Sequence, residues 1–228
     1  MFTGIIEATG SIGTIRRNGS DATITIDTGT LDLSDVKLGD SIATNGVCLT
    51  VTAVSKRAFS ADISGETLKL TTFSTAKANS QVNLEKAMLL TTRLGGHMVS
   101  GHVDGVASVV RKIAAGRATE YWLSAPAQLS KYIAHKGSVT IDGISLTVNE
   151  VVGDEFKLTI VPHTAGQTTI NQLKVGSNVN LEVDVVARYI ERMLGFAPDP
   201  ATEQAEQSPD TNGVTMALLA SSGFIKGR

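Results

Sequence analysis

The sequence predicts an all-β protein made of two similar domains. Three observations support this class: a repeat at constant spacing, short segments in which polar and apolar residues alternate, and turn dipeptides before such segments. The 228 residues amount to roughly one and a half domains of ordinary size. A hydrophobic content of 42% with 18% charged residues is typical of a globular chain and excludes disorder along most of its length.

An internal repeat organises most of the chain. Three segments recur 97 positions later: 1–4 (MFTG) as 98–101 (MVSG), 41–51 as 138–148, and 82–85 (VNLE) as 179–182. Chance similarity would not keep one register over so long a stretch. We therefore predict homologous domains at 1–97 and 98–185, each a closed barrel or a sandwich, followed by a different segment at 186–228.

Alternation with a period of two predicts the strands within each half. It is clear at 23–27, 49–54, 146–151 and 157–161. Asn45-Gly46 and Asp142-Gly143 are turn dipeptides that stand immediately before two of these runs. Many short strands separated by turns favour closed or stacked sheets over an α/β fold.

The remaining elements are predicted to be helices and a linker. Pro126–Ala134 has the pattern of a short helix, with proline at a tolerated first-turn position. Asp184–Leu194 has apolar residues at helical spacing and a glycine after it, and it has no counterpart in the repeat. This helix either forms a contact between subunits or packs on its own barrel. Residues 197–212 predict a flexible linker, and 214–222 a second short helix.

Composition excludes several function classes. Acids number 22 and bases 20, so no basic excess indicates nucleic acid as a partner. No apolar run is long enough to cross a membrane. A single cysteine cannot form an intramolecular disulfide, and no signal peptide is evident, so a cytoplasmic location is expected. Motifs for phosphate loops, dinucleotide binding and the hydrolase nucleophile elbow are absent from the sequence.

Positions that differ between the two halves indicate where their chemistry differs. At the same offset of 97, the paired residues are Cys48 and Ser145, Asn45 and Asp142, Ile5 and His102, Glu66 and His163, Gly39 and Lys136, and Ala87 and Asp184. Two similar pockets should accept two similar molecules, and unequal polar groups would treat them differently. We therefore predict a reaction between two copies of one ligand, one acting as donor and the other as acceptor.

Single residues carry both a structural and a functional interpretation. Cys48 is either a small buried apolar residue or a thiol exposed to a pocket. His102 is either a general acid or base or a hydrogen-bonded strand residue. His97, His102 and Asp104 match no established spacing of metal ligands, so no metal site is predicted.

Several longer motifs resemble the riboflavin synthase family. They are MFTGIIE at the start, NGVCLTV at 45–51, GGHMVSGHVDG at 95–105, KGSVTIDGISLTV at 136–148, VPHTAGQTT at 161–169 and VNLEVDVVARYIERML at 179–194. They occur in order and cover about residues 1–195. The resemblance implies tandem six-stranded Greek-key β-barrels with a C-terminal α-helix that assembles a homotrimer.

The resemblance also implies the reaction. Two molecules of 6,7-dimethyl-8-ribityllumazine dismutate by transfer of a four-carbon unit, which gives riboflavin and 5-amino-6-(D-ribitylamino)uracil. No cofactor and no metal are expected. Each active site is expected between subunits, from the N-terminal barrel of one and the C-terminal barrel of its neighbour. Lumazine synthase is a candidate partner.

By match to the family motifs, ligand contacts are expected in both barrels. In the first barrel they are Gly4, Ile5, Ile6, Cys48, Leu49, Thr50, Asp62, Ile63, Ser64, Gly65, Glu66 and Thr67. In the second barrel they are Gly101, His102, Val103, Lys136, Ser145, Leu146, Thr147, Ile160, Val161, Pro162, His163, Thr164 and Ala165. The residues expected to take part in catalysis are Ser41, Cys48, His102, Lys136, Ser145, Thr147 and Asp184.

The chemistry suggests roles for some of them. The lumazine ring is electron-poor, so its C7 methyl is acidic, and His102 is expected to remove that proton. Hydrogen-bond donors at the ring carbonyls would stabilise the anion. Water or a hydroxyl is expected to attack C7 of the partner ring, with a serine or Cys48 as the candidate residue.

Three other interpretations remain open. The chain is alternatively a lumazine or flavin carrier without activity, which would keep only one functional pocket. A flavin-binding barrel of an oxidoreductase would need a nicotinamide-binding domain, and no such fingerprint follows. A purely structural repeat protein would not explain the unequal polar substitutions.

Overall fold

Two closed six-stranded antiparallel barrels make up most of the computed structural model, which describes residues 1–195. Its elements are β1 (Ala8–Asn18), β2 (Asp21–Asp27), β3 (Ser41–Thr44), β4 (Val47–Val54), β5 (Ala58–Ile63), α1 (Gly65–Leu70), a 3₁₀ turn (Thr72–Ser74), β6 (Gln81–Lys86), β7 (Gly105–Ala115), β8 (Ala118–Ser124), α2 (Ala127–Ser130), β9 (Ser138–Ile141), β10 (Ile144–Val152), β11 (Glu155–Ile160), α3 (Pro162–Gln167), a second 3₁₀ turn (Thr169–Gln172), β12 (Asn178–Val183) and α4 (Val185–Leu194). The prediction of an all-β chain of tandem barrels is confirmed.

Both barrels have the same Greek-key order. In the first barrel the order around the sheet is β1-β2-β5-β4-β3-β6, and β7 to β12 repeat it in the second. Strands β3, β4 and β5 are consecutive neighbours, and β6 returns to lie beside β3, which is the Greek-key arrangement. Closure leaves neither sheet with a free edge.

The alternating sequence pattern builds each core. In β2 the side chains of Ala22, Ile24 and Ile26 are buried, whereas Asp21, Thr23 and Asp27 between them are exposed. Because side chains of a strand alternate between its two faces, one face fills the barrel and the other meets solvent. Each barrel has its own cluster of buried apolar residues.

The two barrels form a single unit, Met1–Arg188, in which the predicted turns meet. Gly46 has φ +79° and Gly143 has φ +82°, a conformation that favours glycine in a tight hairpin. A Cβ atom on Gly46 would lie 2.8 Å from the backbone N of Gly143, and one on Gly143 would lie 2.8 Å from the N of Gly46. The glycines therefore serve the turns and also let the two barrels approach.

The helices differ in part from the sequence expectation. The helix predicted at Pro126–Ala134 is only one turn long, Ala127–Ser130. After it, the N–H groups of Tyr132 and Ile133 donate to carbonyls three residues earlier, so the chain tightens into turns instead of continuing the α-helix. The amphipathic helix is present as α4. The linker predicted at 197–212 and the helix predicted at 214–222 lie outside the described residues. Within residues 1–195, no helix is long and apolar enough to cross a membrane.

Candidate active site

Two short segments each precede one barrel in the chain but lie against the other barrel. We call residues 1–7 the first lead segment and residues 98–104 the second lead segment, because each precedes the first strand of its own barrel. They meet at Phe2 and Val99, which form a two-residue antiparallel bridge and are 0% and 1% exposed. The N–H of Phe2 donates to the Val99 carbonyl at 2.8 Å, and that of Val99 donates back to the Phe2 carbonyl at 3.1 Å.

From this crossing, each lead segment continues to the other barrel. The second lead segment reaches β4 of the first barrel, where the N–H of Cys48 donates to the Gly101 carbonyl at 2.8 Å. The first lead segment reaches β10 of the second barrel, where the N–H of Ser145 donates to the Gly4 carbonyl at 2.8 Å. The cores repeat this pattern, because Val103 packs against the first core and Ile6 against the second.

A small cavity marks the first-barrel site. Its volume is about 170 Å³, and its lining is Val47, Cys48, Glu66, Thr67, Leu70, Thr71, Gly101, His102 and Val103. Cys48 is half-buried on β4, and His102 is exposed on the second lead segment. The only thiol of the chain and one of its four imidazoles therefore share one cavity.

The second-barrel site is built around Ser145 on β10. Its Oγ lies 2.6 Å from Nδ1 of His97, and Nε2 of His97 lies 3.1 Å from Oγ1 of Thr140. A Cβ atom on Gly4 would lie 2.5 Å from Cβ of Ser145, so the first lead segment is in close contact with the serine. The site thus combines a hydroxyl group with a fixed imidazole.

Burial sets the protonation state of that imidazole. Desolvation lowers the pKa of His97 below its ordinary value, and the negative charge of Asp184 acts in the opposite direction. Near neutral pH the ring is therefore neutral and has one nitrogen free to accept a proton. No sequence pattern points to His97 as a partner of Ser145, because residue 97 directly precedes the second repeat and has no equivalent in the first.

The ligand contacts predicted for the two lead segments stay predictions, but the structure places each lead segment against the barrel of the other repeat. Gly4 and Ile6, of the first repeat, lie against the second barrel, and Gly101–Val103, of the second repeat, lie against the first. The cause is the crossing at Phe2 and Val99. Sequence position within a repeat does not reveal that its first residues leave it.

Leu49 and Thr50 lie on β4, and Leu146 and Thr147 lie on β10. Two further groups of predicted contacts lie where strands end in short helices. Asp62–Thr67 join β5 to α1, and the Ser64 hydroxyl accepts from the Thr67 N–H at 3.2 Å to cap that helix. Ile160–Ala165 are the equivalent junction of β11 and α3, where Pro162 opens the helix. Glu66 and Thr67 reach the first cavity directly. Ile63 and Ile160 are buried core residues, 2% exposed each.

Besides Ser145, four predicted catalytic residues lie outside the cavity that holds Cys48. Ser41 on β3 lines a separate cavity of about 760 Å³ beneath residues 87–95. Lys136 is exposed at φ +65°, and Thr147 is exposed on β10 beside Ser145. Asp184 directly precedes α4, and its Oδ1 accepts from the Val186 N–H at 3.0 Å. Among residues 1–195 no group of three side chains is arranged to hold a metal ion.

This fold and its two crossed sites define a tandem ligand-binding barrel protein. The model of the lumazine binding domain family matches the chain twice, at residues 3–87 and 100–184. The crystal structure of LumP complexed with 6,7-dimethyl-8-(1'-D-ribityl) lumazine is similar, with a TM-score of 0.72, 26% identity, and coverage of 80% of this chain and 99% of that one.

Two enzymes are related over almost their whole length. Riboflavin synthase of Photobacterium phosphoreum is 55% identical over 99% of this chain and 100% of its own. Riboflavin synthase of Actinobacillus pleuropneumoniae is 46% identical over 98% of this chain and 100% of its own. The chain belongs to the riboflavin synthase family.

Proposed function

We propose that the chain catalyses the dismutation of two 6,7-dimethyl-8-ribityllumazine molecules to riboflavin and 5-amino-6-(D-ribitylamino)uracil. The observation that carries this proposal is the pair of equivalently built sites with unequal polar groups. Cys48 and His102 stand in one site, and Ser145 and His97 stand in the other, next to the lead segment that carries Ile5. Such a pair suits two copies of one ligand that must react differently, and it favours the enzyme over a carrier with one functional pocket.

In the first-barrel site, His102 is the proposed base. It shares the cavity with Cys48, and its exposed imidazole has ring nitrogens that can accept a proton from the acidic C7 methyl. Backbone N–H groups and hydroxyls at the ring carbonyls would stabilise the anion that forms. Thr67, at the start of α1, is one hydroxyl on the cavity wall.

In the second-barrel site, Ser145 is the proposed nucleophile toward C7 of the partner ring. Its 2.6 Å contact with a neutral His97 provides the acceptor for the hydroxyl proton. Cys48 remains the alternative nucleophile, in the first-barrel site. All atoms of the two substrates are recovered in the two products, so the reaction needs no external oxidant, and we expect turnover without cofactor or metal.

Reaction between two bound rings requires that the sites face each other. We propose that this happens in a homotrimer, with the first-barrel site of one subunit opposite the second-barrel site of its neighbour. The exposed apolar side chains of Tyr189, Ile190 and Met193 on α4 support a contact between subunits. Lumazine synthase as a partner, a cytoplasmic location, and the domain limits 1–97, 98–185 and 186–228 complete the proposal.

The decisive experiment is a turnover assay with the full chain. The protein is mixed with 6,7-dimethyl-8-ribityllumazine and a metal chelator, and riboflavin is followed by absorbance. Consumption of two lumazines per riboflavin supports the proposal, whereas tight binding without product would establish the carrier. Full activity of His102→Gln would remove that residue as the base.

A further inference from the structure

Each barrel carries one buried glutamate that the proposed chemistry does not use. Glu85 near the end of β6 is 4% exposed, and Glu182 near the end of β12 is 3% exposed. They are the last residues of the repeated VNLE segments. Burying a carboxylate is costly unless hydrogen bonds compensate for the lost water, so an acid conserved between both repeats of one chain requires a structural reason.

Both carboxylates bind the lead segment of their own barrel in the same way. Glu85 accepts from the N–H and the hydroxyl of Thr3 at 2.6 and 2.7 Å, and from the N–H of Gly4 at 2.9 Å. Glu182 accepts from the N–H and the hydroxyl of Ser100 at 2.7 Å each, and from the N–H of Gly101 at 3.1 Å. Six charge-assisted hydrogen bonds thus hold two short stretches of backbone.

The residues held by each glutamate line the site of the opposite barrel. Gly101, held by Glu182, accepts from the Cys48 N–H at 2.8 Å in the first-barrel site. Gly4, held by Glu85, accepts from the Ser145 N–H at 2.8 Å in the second-barrel site. Each carboxylate is therefore two hydrogen-bonded links away from the candidate nucleophile of the other barrel.

The same arrangement reaches His102. The Ser100 hydroxyl donates to Glu182 and also accepts from the His102 N–H at 3.2 Å. In the other copy, the Thr3 hydroxyl donates to Glu85 and accepts from the Ile5 N–H at 3.2 Å. A hydroxyl that donates to a carboxylate is a stronger acceptor. Glu182 therefore also fixes the backbone of His102, and Glu85 fixes the backbone of its counterpart Ile5.

We propose that Glu85 and Glu182 are positioning residues that act across the barrel boundary, so that Glu182 shapes the first-barrel site and Glu85 the second-barrel site. The inference rests on the proposed function for its meaning in catalysis. Its geometric content, the crossed dependence, is testable without substrate. A merely structural role predicts instead that each glutamate affects its own barrel.

The test uses Cys48, the only cysteine, as a reporter of the first-barrel site. Alkylation of the native full-length chain by iodoacetamide is followed for wild type, Glu85→Gln and Glu182→Gln. The glutamine amide keeps the shape but replaces one accepting oxygen by a donor. We expect E182Q to raise the alkylation rate about tenfold, because the neutral amide loses the negative charge and at least one of the three hydrogen bonds, so that the segment over Cys48 opens more often. We expect E85Q, although Glu85 shares the barrel of Cys48, to leave the rate within about twofold.

The reciprocal reporter is the double variant C48S/S145C, which moves the thiol to the second-barrel site. In that background E85Q should change the alkylation rate and E182Q should not. The proposal would be overturned if E85Q and E182Q changed the alkylation rates of both reporters equally. It would also be overturned if each variant changed only the rate of the cysteine in its own barrel, or if neither variant changed either rate. If a glutamine variant fails to fold, Ser100→Ala and Thr3→Ala remove only the hydroxyl link and must give the same crossed pattern.

Turnover is then measured on the same variants in the Cys48 background. We expect kcat to fall in E85Q and in E182Q, with the circular dichroism unchanged. Crossed alkylation in a chain that converts no lumazine would keep the positioning role and reject the proposed synthase. Normal turnover without crossed alkylation would support the synthase and reject the positioning role of the glutamates.

Discussion

Replacing Asp142 by asparagine should remove a pH-dependent loss of stability. Asp142 is 6% exposed at the tip of a hairpin in the second barrel. Its Oδ1 accepts from the Asn180 N–H at 2.8 Å, and its carbonyl accepts from the Asn83 side chain at 2.9 Å. The equivalent turn has Asn45, whose Oδ1 accepts from the Asn83 N–H at 2.7 Å. The first barrel therefore shows that an amide fits this position.

The magnitude follows from the pKa of the buried carboxyl. Burial raises the pKa of Asp142 from 3.8 to about 7, although the hydrogen bond from Asn180 acts in the opposite direction. Between these values the unfolded chain has lost the proton and the folded chain still holds it, so stability falls as pH rises through the window. The full difference corresponds to about 4 kcal/mol, present below pH 4 and lost above pH 7.

Urea unfolding at pH 4.5 to 8.5 measures this. Trp122, the only tryptophan, lies on β8 of the second barrel and reports its unfolding by fluorescence. With a slope of about 2 kcal/mol per molar urea, the wild-type midpoint should fall by about 2 M more than that of D142N over this range. The matched control Asn45→Asp should add a similar dependence to the first barrel, followed by circular dichroism. Parallel pH profiles for wild type and D142N would refute the reasoning.

Three further changes test the sites and the assembly. Gly101→Ala should weaken lumazine binding at the first-barrel site by about tenfold or more in a titration, because its φ is +80° and a Cβ atom would lie 2.7 Å from Cβ of Cys48; unchanged binding would contradict that placement. His97→Asn should lower kcat about a hundredfold with little change in KM, because the serine loses its proton acceptor; equal kcat in stopped-flow assays would exclude the pair. Changing Ile190 and Met193 to Glu should give monomers in sedimentation experiments and should lower turnover in the activity assay. Trimers that survive both changes would show that α4 does not hold the assembly.

The local patterns of the sequence were sufficient to predict the strands, the turns and the two similar domains. Alternating residues such as Ile24 and Ile26 identify a strand that is buried on one face, and Asn45-Gly46 identifies the turn that starts a hairpin. A spacing that never changes from 97 shows that both halves fold alike. Periodicity did not decide between a barrel and a sandwich, because both need the same alternation; strand order around the sheet decides it.

The site was harder to predict because its contacts join residues distant in sequence. The bridge between Phe2 and Val99 spans the whole first barrel, and no periodic pattern reports such a pairing. The contact of His97 with Ser145 depends on that crossing. One sequence signal was nevertheless available. Segments 1–4 and 82–85 recur together as 98–101 and 179–182, although strand alternation requires neither of them. Their joint recurrence indicates that Thr3 and Glu85 make one repeated contact.

The crossing changes what a difference between the two repeats means. By alignment, the first repeat has Cys48 with Ile5, and the second has Ser145 with His102. In space, Cys48 shares its site with His102, and Ser145 is in contact with the lead segment that carries Ile5. Each site therefore combines residues from both repeats, so a substitution in one lead segment alters the opposite barrel. Two unequal sites can therefore arise while both barrels keep the same core and strand order. The residues that distinguish the first-barrel site lie on β4 and the second lead segment, and those of the second-barrel site lie on β10 and the first lead segment. Neither barrel needs a lead segment for its closure.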